Sequence, residues 1–425
     1  MPKYVIGFDF NDQVSQICFS EISASVLQSV NADDNDERLG IPTVLCKRNG
    51  VNQWYYGAEA EAVARRGEGT LVGKLISFAK AGAKLEIEGE AYDPVDLLIL
   101  FLRRSLNIIA SKIDPIDVVQ ITFTVESLDD KMIDILNRIT DDINFNKDKI
   151  IFETYDESIY YYTIHQPVDL YENSVIVLDY SGDYLKLYEL WMNKKTTPVV
   201  GFVEKNDYLE IKSPQFMIGT EVSEEKYARL DELILQAVHD YFSGKTISTV
   251  FLIGNGFSDL WCDKTLKYLC LGRRVFQGQN LYSKGACYHG ADKVLPKAIN
   301  LKNIFLGKDK LKGNTGLNMR VKGQDEYVVL MDAGETWYSS SADVEFILES
   351  GRDVSIIVTP IYGGGKREEV IDLPGLPIRP ERATRLRLEA TFKSDVLMHV
   401  KISDLGFGEF YTSSKRVWEK DIDIS

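Results

Sequence analysis

The sequence is 425 residues long, which is too long for one small core and favours two or three domains. Hydrophobic residues make up 44% and charged residues 27%, as in ordinary globular proteins, and the net charge of −15 argues against a nucleic-acid or anionic-membrane surface. The apolar run at 97–102 is far shorter than the roughly 20 residues that cross a bilayer. Because the chain enters a predicted strand without a leader pattern, we expect a cytoplasmic protein.

The cysteines and histidines indicate neither a disulfide framework nor a zinc site. The five cysteines lie among apolar neighbours without a C-x-x-C pair, and we expect them to be reduced core residues. The four histidines are His165, His239, His289 and His399. No metal-binding spacing connects them, so the sequence predicts no zinc centre.

The first predicted element is a β-hairpin with an acid near its tip. Strands are predicted at Tyr4–Phe10 and Val14–Phe19, joined by the turn Asn11-Asp12-Gln13. This places Asp9 beside the turn. A carboxylate at the end of a buried strand must be solvated, paired or bound to a cation.

The stretch 175–188 repeats this pattern. Four apolar residues lead into Asp179, a turn follows at Ser181-Gly182, and the strand resumes at Tyr184. A Ser-Gly turn lets backbone N–H groups approach a phosphate. The two hairpins therefore predict two similar lobes facing a shared cleft that suits a metal-bound polyphosphate. The alternatives are coincidence and an aspartate that only bonds its own turn.

Around and between these hairpins, helices alternate with strands, which is typical of an α/β fold. Helices are predicted at 58–65, 94–113, 128–143, 158–165 and 223–242, and strands at 118–125, 149–153, 199–203, 208–212 and 249–253.

Two charged residues and one glycine turn in this region are candidate site residues. Lys74 is a lone cation in an apolar segment, and it either extends to solvent or contacts a phosphate. Glu153 ends a strand before a helix, where an acid either pairs with the helix N-terminus or orients a water. The turn Gly254-Asn255-Gly256 opens a helix, and its glycines either admit a ligand or serve an ordinary connection.

The last part of the chain changes in character. Lysines and glycines at 292–316 predict a linker, and short alternating runs beyond it predict an all-β sandwich of eight strands. Gly363-Gly364-Gly365-Lys366 lies between two of these strands and is predicted to be a hairpin turn. The predicted strands are 317–322, 326–331, 342–348, 354–359, 366–373, 384–392, 395–403 and 417–424.

The order of these pieces resembles the actin, sugar-kinase and heat-shock-chaperone ATPase superfamily, and it is most similar to the DnaK-type molecular chaperones. LPGLPIRP at 373–380, the strands that follow and Asp404 resemble the peptide-binding β-sandwich of these chaperones. In the first domain the resemblance is carried by the hairpin at 4–20, RLGIPTV with WYYGAEA, TLVGKLI around Lys74, the hairpin at 175–188, VFLIGNGFSD and the helix start at 284–287.

The resemblance implies an α/β domain with a two-lobed actin-like ATPase fold at 1–291, a linker at 292–316 and an all-β sandwich at 317–425. It also implies that ATP or ADP binds between the lobes and that an unfolded or extended peptide, or a protein partner, binds the sandwich. Neither nucleic acid nor a membrane is expected as a partner.

Position by position, the resemblance implies that Asp9 and Asp179 hold Mg²⁺ through its waters. Lys74 would contact the γ-phosphate and the attacking water, and Glu153 would orient the metal shell. The other implied nucleotide-binding positions are Asn11, Ser181, Gly182, Gly254, Asn255 and Gly256.

The sequence departs from the family's pattern at both turns. Asn11-Asp12-Gln13 replaces Gly-Thr-Thr, and Ser181-Gly182-Asp183-Tyr184 replaces three glycines and a threonine. Added acids repel a polyphosphate and a tyrosine crowds it, so we expect at most a weak ATPase. The second lobe is expected to be reduced, and no helical lid is expected after the sandwich. Two alternatives stay open: an interaction module that has lost nucleotide chemistry, and a small-molecule kinase.

Overall fold

The chain is a mixed α/β protein that divides into two compact units, residues 1–303 and 304–425. The computed structural model describes residues 2–23, 26–30, 40–143, 145–214, 224–257, 261–295, 303–361 and 365–425. The division falls inside the range 292–316 that was predicted as a linker. The described residues of that range are partly regular, because a helix extends to Val294 and strands lie at Asn303–Phe305 and from Gly313 onward.

The first unit contains all the α-helices of the described residues. They are α1 Gly57–Arg65, α2 Leu75–Ala81, α3 Pro94–Ala110, α4 Asp130–Asp142, α5 Tyr155–Ile164, α6 Glu224–Phe242, α7 Asp263–Leu269 and α8 Leu281–Val294. No helix among these residues combines the length and the apolar character needed to span a bilayer. As predicted, α3 begins at a proline after Asp93, whose side chain accepts a hydrogen bond from Val95 N at 2.8 Å.

The first unit contains short strands around α1 and α2 and longer strands that form two larger sheets. They are β1 Tyr4–Asp9, β2 Val14–Glu21, β3 Leu27–Ser29, β4 Ile41–Pro42, β5 Leu45–Arg48, β6 Trp54–Tyr56, β7 Gly69–Val72, β8 Leu85–Ile87, β9 Glu90–Tyr92, β10 Val118–Val125, β11 Ile150–Thr154, β12 Ser174–Asp179, β13 Tyr184–Asn193, β14 Val199–Lys212, β15 Ile247–Ile253 and β16 Arg274–Gly278. Strand β17, Asn303–Phe305, lies at the division between the units. Where two strands were predicted at 199–203 and 208–212, the single strand β14 continues through both.

Two sheets of the first unit repeat one strand order. The first is ordered β11-β10-β1-β2-β3, and the second contains β16-β15-β12-β13-β14. In the first sheet, β1 and β2 form an antiparallel hairpin, and β10 and β11 run parallel to β1. In the second sheet, β12 and β13 form the antiparallel hairpin, and β15 and β16 run parallel to β12. The two predicted acid-tipped hairpins are thus confirmed as β1/β2 and β12/β13, and they occupy equivalent places. Their first strands are buried apolar runs that end in Asp9 and Asp179.

Helix α5 follows β11 and helix α8 follows β16, which are the equivalent edge strands of the two sheets. The two helices pack closely against each other. A Cβ built on Gly285 of α8 would lie 2.0 Å from the carbonyl oxygen of Ser158 in α5, so only glycine permits this contact. Helix α8 also covers the first sheet, since a Cβ on Gly7 of β1 would lie 2.1 Å from the carbonyl oxygen of Ser283. One helix therefore contacts α5 and β1 together.

The second unit consists of two four-stranded antiparallel sheets with one shared hydrophobic core, as a β-sandwich requires. The sheet orders are β19-β18-β21-β22 and β20-β23-β24-β25. The eight strands confirm the predicted set, while Gly363 and Gly364 of the predicted hairpin turn lie outside the described residues. The strands are β18 Gly313–Val321, β19 Gln324–Met331, β20 Ala342–Leu348, β21 Asp353–Pro360, β22 Arg367–Asp372, β23 Thr384–Phe392, β24 Leu397–Gly406 and β25 Val417–Asp423.

A buried ion pair fixes the loops at one end of the sandwich. Arg379 donates two hydrogen bonds to the Asp404 carboxylate, at 2.7 and 2.8 Å, and Ser414 donates two more from its backbone N–H and hydroxyl. Burial raises the pKa of Asp404, but the hydrogen bonds from Arg379 and Ser414 outweigh it and hold that pKa well below its usual range. Asp404 is therefore a charged structural residue.

The cysteines are unpaired, as predicted, but one of them is not a core residue. Cys18, Cys46, Cys262 and Cys287 are buried, whereas Cys270 is exposed just after α7. Its apolar neighbours in sequence suggested burial, but Cys270 is the C-cap of a seven-residue helix, where the chain turns outward.

Candidate functional site

A cavity of about 330 Å³ lies between the two acid-tipped hairpins of the first unit, and we call it the cleft. The sequence analysis placed both aspartates at one shared hollow, and this expectation is met. The predicted site residues that line the cleft are Asp9, Asn11, Asp179, Ser181, Gly182, Gly254 and Asn255.

Each of the two aspartates is bound by a tyrosine hydroxyl. Tyr155 donates to Asp9 Oδ1 at 2.8 Å, and Tyr282 donates to Asp179 Oδ2 at 2.8 Å. The two tyrosine rings stack with centroids 3.8 Å apart and planes 7° from parallel. Tyr155 is the first residue of α5 and Tyr282 is the second of α8, so equivalent helices supply them. The floor of the cleft is therefore a Tyr–Tyr stack with an aspartate at each end.

The electrostatics of this floor disfavour the charged form of Asp9. Only 3% of Asp9 is exposed, and burial raises its pKa to about 7 against the hydrogen bonds from Tyr155 and Asn11, which lower it. The nearby charge of Asp179 raises it further. Burial and the adjacent carboxylates likewise raise the pKa values of Tyr155 and Tyr282 well above the usual range, so both hydroxyls stay donors.

The first turn is filled by its own side chains. Asn11 Oδ1 accepts the backbone N–H groups of Gln13 and Val14, both at 2.9 Å, and its amide nitrogen donates to Val14 O at 2.9 Å. Asp12 accepts the backbone N–H of Ile76 at 2.7 Å and that of Ser77 at 3.1 Å. Two backbone N–H groups of this turn are thus already bonded, and Asp12, which lines the cleft, also binds the first turn of α2.

The second turn is more open. The Ser181 N–H donates to Asp179 Oδ1 at 2.8 Å. A Cβ built on Gly182 would have Lys186 Nζ as its nearest neighbour, 4.0 Å away, so the backbone of this turn borders the open cavity. This turn is the part of the cleft with most room for a ligand.

The glycines after β15 have a packing explanation. Gly254 has φ +92°, and a Cβ there would lie 2.3 Å from the backbone nitrogen of Ser181. A Cβ on Gly256 would lie 2.6 Å from the ring of Tyr180, and Gly256 is buried behind the cleft rather than lining it. Asn255 opens a short 3-10 turn at 255–257, and residues 258–260 of the predicted helix start lie outside the described residues. These glycines let the two loops approach each other.

The cleft carries more acids than bases. Among the described lining residues the acids are Asp9, Asp12, Glu126, Asp179 and Asp183, and the bases are Lys80 and Lys186. Lys186 is paired with Glu126 at 2.7 Å, and Lys80 is paired with Asp129 at 2.5 Å. Both cations are therefore engaged by carboxylates, which leaves a surface that repels a polyanion.

Two of the predicted catalytic residues lie elsewhere. Lys74 precedes α2 with φ +53°, its side chain is exposed, and it does not line the cleft. Glu153 is fully buried, and its carboxylate is bound by His289 Nδ1 at 2.5 Å and Ser158 Oγ at 2.5 Å. Lys74 thus matches the alternative in which the side chain extends to solvent, whereas Glu153 is bound by two side chains that neither of its alternatives named.

Sequence reasoning missed the two tyrosines and the Lys186–Glu126 pair. A signal for Tyr155 was its place two residues after Glu153, at the start of a predicted helix. Tyr282 carried an equivalent signal, two residues before the helix start at 284–287. Lys186 lies opposite Asp179 in the register of β12 and β13, which the hairpin prediction implied.

Comparison with known families finds two models, and neither states an activity. The model described as "Family of unknown function (DUF5716) C-terminal" matches residues 27–308. The model described as "Domain of unknown function (DUF8552)" matches residues 310–424, which corresponds closely to the β-sandwich unit. No curated protein matches the chain.

Proposed function

From the geometry of the cleft we propose that this chain, which belongs to the family of unknown function DUF5716, is a chaperone-like interaction protein that neither binds nor hydrolyses nucleotide. Its first unit has a two-lobed actin-like fold that has lost ATPase chemistry. Its β-sandwich binds an extended peptide or a protein partner. A cytoplasmic location belongs to this proposal and is supported by five unpaired cysteines.

One observation carries the loss of nucleotide chemistry. The stacked rings of Tyr155 and Tyr282 lie between Asp9 and Asp179, and each hydroxyl bonds one carboxylate. A hydrated Mg²⁺ would need those carboxylates charged and free to accept from its waters. With the pKa of Asp9 near 7 and the stack in place, the residues do not suit Mg²⁺ bound to a polyphosphate.

The strand order supports the two-lobed actin-like part of the proposal. Both sheets share the same five-strand order, and each central hairpin ends in an acid at the cleft. Two equivalent helices, α5 and α8, follow the equivalent strands. This internal repeat is what the resemblance to the actin and heat-shock ATPases implies.

An open sheet edge supports the partner-binding part. Among the described strands, β22 and β25 are the edges of the two sheets on one side of the sandwich. Side chains connect these two edges, since Arg367 donates to Ser425 O and Lys420 donates to Val370 O. Strand β19 is the far edge of its sheet and exposes apolar side chains, with Tyr327 42% and Val329 49% exposed. An exposed apolar edge can accept an added strand from an extended peptide.

Nucleotide titration tests the proposed loss of nucleotide binding and hydrolysis. Calorimetry of the full chain with ATP or ADP and Mg²⁺, up to millimolar nucleotide, is expected to give no saturable binding, and no phosphate release is expected. The double variant Tyr155→Phe/Tyr282→Phe keeps the rings and removes both hydroxyls. Binding gained only by this variant would identify the hydroxyl bonds as the block, whereas saturable binding by the natural chain would overturn the proposal.

A second candidate retains ATP or ADP in the cleft without hydrolysis. The open backbone at Gly182 and the presence of Ser181, Gly254 and Asn255 on the same cavity favour it. Saturable nucleotide binding without turnover in the same titration would select this candidate.

A peptide-binding assay tests the proposed addition of an extended peptide to the open edge of the β-sandwich. An array of immobilised extended peptides is probed with the full chain, then with Val329→Lys on β19 and with Val370→Lys on β22. Both valines are about equally exposed, at 49% and 45%, but β22 is the edge joined to β25. We expect only Val329→Lys to abolish binding, because a charge on the open edge opposes strand addition. Equal loss in both variants, or no binding by the natural chain, would contradict this part.

A further inference from the structure

A second cluster of ionisable side chains lies outside the cleft, at the junction of β11, α5 and α8. It consists of Glu153, Glu157 and His289, whose ligand atoms all lie within 4.8 Å of one another. His289 Nδ1 is 2.5 Å from Glu153 Oε2 and 3.8 Å from Glu157 Oε1. The side chains of Glu153, Glu157 and His289 are 0%, 2% and 13% exposed.

The neighbours of this cluster fix the orientation of its members. Ser158 Oγ lies 2.5 Å from the other oxygen of Glu153 and 2.7 Å from Thr124 Oγ1. The imidazole of His289 stacks on the ring of Tyr161, with centroids 4.1 Å apart and planes 8° from parallel. A hydrogen bond that orients a ligating carboxylate, as Ser158 does for Glu153, is typical of metal centres.

The donor atoms of the cluster suit a bound cation. Two carboxylates and one imidazole share a buried space. Buried carboxylates are costly unless they are paired or coordinate a metal. Two carboxylates and an imidazole are donors that Zn²⁺ and related transition-metal ions accept.

We propose that Glu153, Glu157 and His289 bind one divalent transition-metal ion, with Zn²⁺ as the preferred ion and Nδ1 as the histidine ligand. Tetrahedral coordination at about 2.0 to 2.1 Å places ligand atoms about 3.4 Å apart. The His289–Glu153 contact then opens and the His289–Glu157 contact closes, each by less than about 1 Å. The bound ion joins the end of β11, α5 and α8, and a water completes its coordination.

The sequence predicts no zinc centre, because no metal-binding spacing links the histidines. The proposed site leaves no such spacing, since its donors come from three elements and His289 is 136 residues from Glu153. Only the packing of α8 on α5 brings them together.

The same helix pair contains a matched control. His165 Nε2 lies 2.8 Å from Asp292 Oδ2, and its ring stacks on Tyr288 with centroids 4.1 Å apart. This pair has the same kind of stack and one carboxylate. Among the described residues, Glu153, Glu157 and His289 form the one group of three or more candidate ligands.

Metal loading of the full chain tests the proposal. The chain is stripped with a chelator, loaded with Zn²⁺ and desalted, and its metal content is measured by mass spectrometry. We expect one zinc per chain, and free Zn²⁺ at 100 times its dissociation constant should raise the folding equilibrium constant about 100-fold. His289→Gln and Glu157→Gln should each weaken zinc binding at least 10-fold, whereas His165→Gln should leave it unchanged.

Spectroscopy on the natural chain decides the question even if the variants do not fold. X-ray absorption of the zinc-loaded protein should show nitrogen and oxygen ligands only, and nitrogen NMR should show one histidine bound through Nδ1. Absence of bound Zn²⁺ after loading, sulfur scattering from a cysteine site, or equal loss in His165→Gln would overturn the proposal and leave a His289–Glu153 ion pair.

Discussion

Replacement of Asp9 by asparagine is expected to stabilise the protein at neutral and alkaline pH. Asp9 is 3% exposed, and burial raises its pKa from 3.8 to about 7. Between these two values the folded state holds a proton that the unfolded chain has released. Stability therefore falls as pH rises through this window, and the penalty is constant above it.

The magnitude follows from the size of the pKa change. A rise of about three pKa units corresponds to about 4 kcal/mol of unfolding free energy at pH 8, and to less than half of that at pH 5. Asparagine carries no charge, and its Oδ1 can still accept from Tyr155. The natural chain should thus lose about 2 to 3 kcal/mol more stability than Asp9→Asn between pH 5 and pH 8.

Urea unfolding at several pH values, followed by circular dichroism, measures this difference directly. The difference between the two chains should grow from pH 5 to pH 8 and vanish below pH 4. If Asp9→Asn is less stable than the natural chain at pH 8, or if the two pH profiles are parallel, then the pKa of Asp9 is not raised in the folded state. Its carboxylate would then be charged at neutral pH and suited to Mg²⁺.

Three further substitutions, one of them with a matched control, test other parts of the structure. Tyr282→Phe removes a donor from the buried Asp179 carboxylate and should cost about 1 to 3 kcal/mol in urea unfolding. Gly285→Ala forces α5 and α8 apart and should cost about 1 to 3 kcal/mol or more, whereas Gly278→Ala, with nothing within 4 Å of the added carbon, should change stability by about 0.5 kcal/mol or less. Asp404→Asn breaks a buried ion pair and should cost about 3 kcal/mol at pH 7. Because the folded pKa of Asp404 is lowered, that cost should shrink as pH falls below about 4, and a constant cost would refute the assignment.

The strands of the second unit were predictable because burial alternates along them. Strands Ala342–Leu348 and Thr384–Phe392 have the bounds that the pattern predicts, since each has one face on the shared core and one face in solvent. The acid-tipped hairpins were predictable for a related reason, because a buried run that ends in a carboxylate leaves few other arrangements.

The contents of the cleft were less predictable because they depend on contacts between distant parts of the chain. The bond from Tyr155 to Asp9 spans 146 residues, and the bond from Tyr282 to Asp179 spans 103. Lys74 was considered for a phosphate contact, but it precedes α2 in a left-handed conformation that no local pattern indicated. Local patterns specify strands and turns, whereas helix packing decides which side chains meet.

The position of α8 has a consequence for synthesis of the chain. Cys287 of this helix contacts the carbonyl oxygen of Val5, although 282 residues separate them. A nascent chain therefore completes β1, β2 and β10 long before the helix that covers them leaves the ribosome. Until Val294 has emerged, the apolar surface beneath α8 has no cover, and a chain truncated before Leu281 should aggregate even though every strand of its first sheet is present.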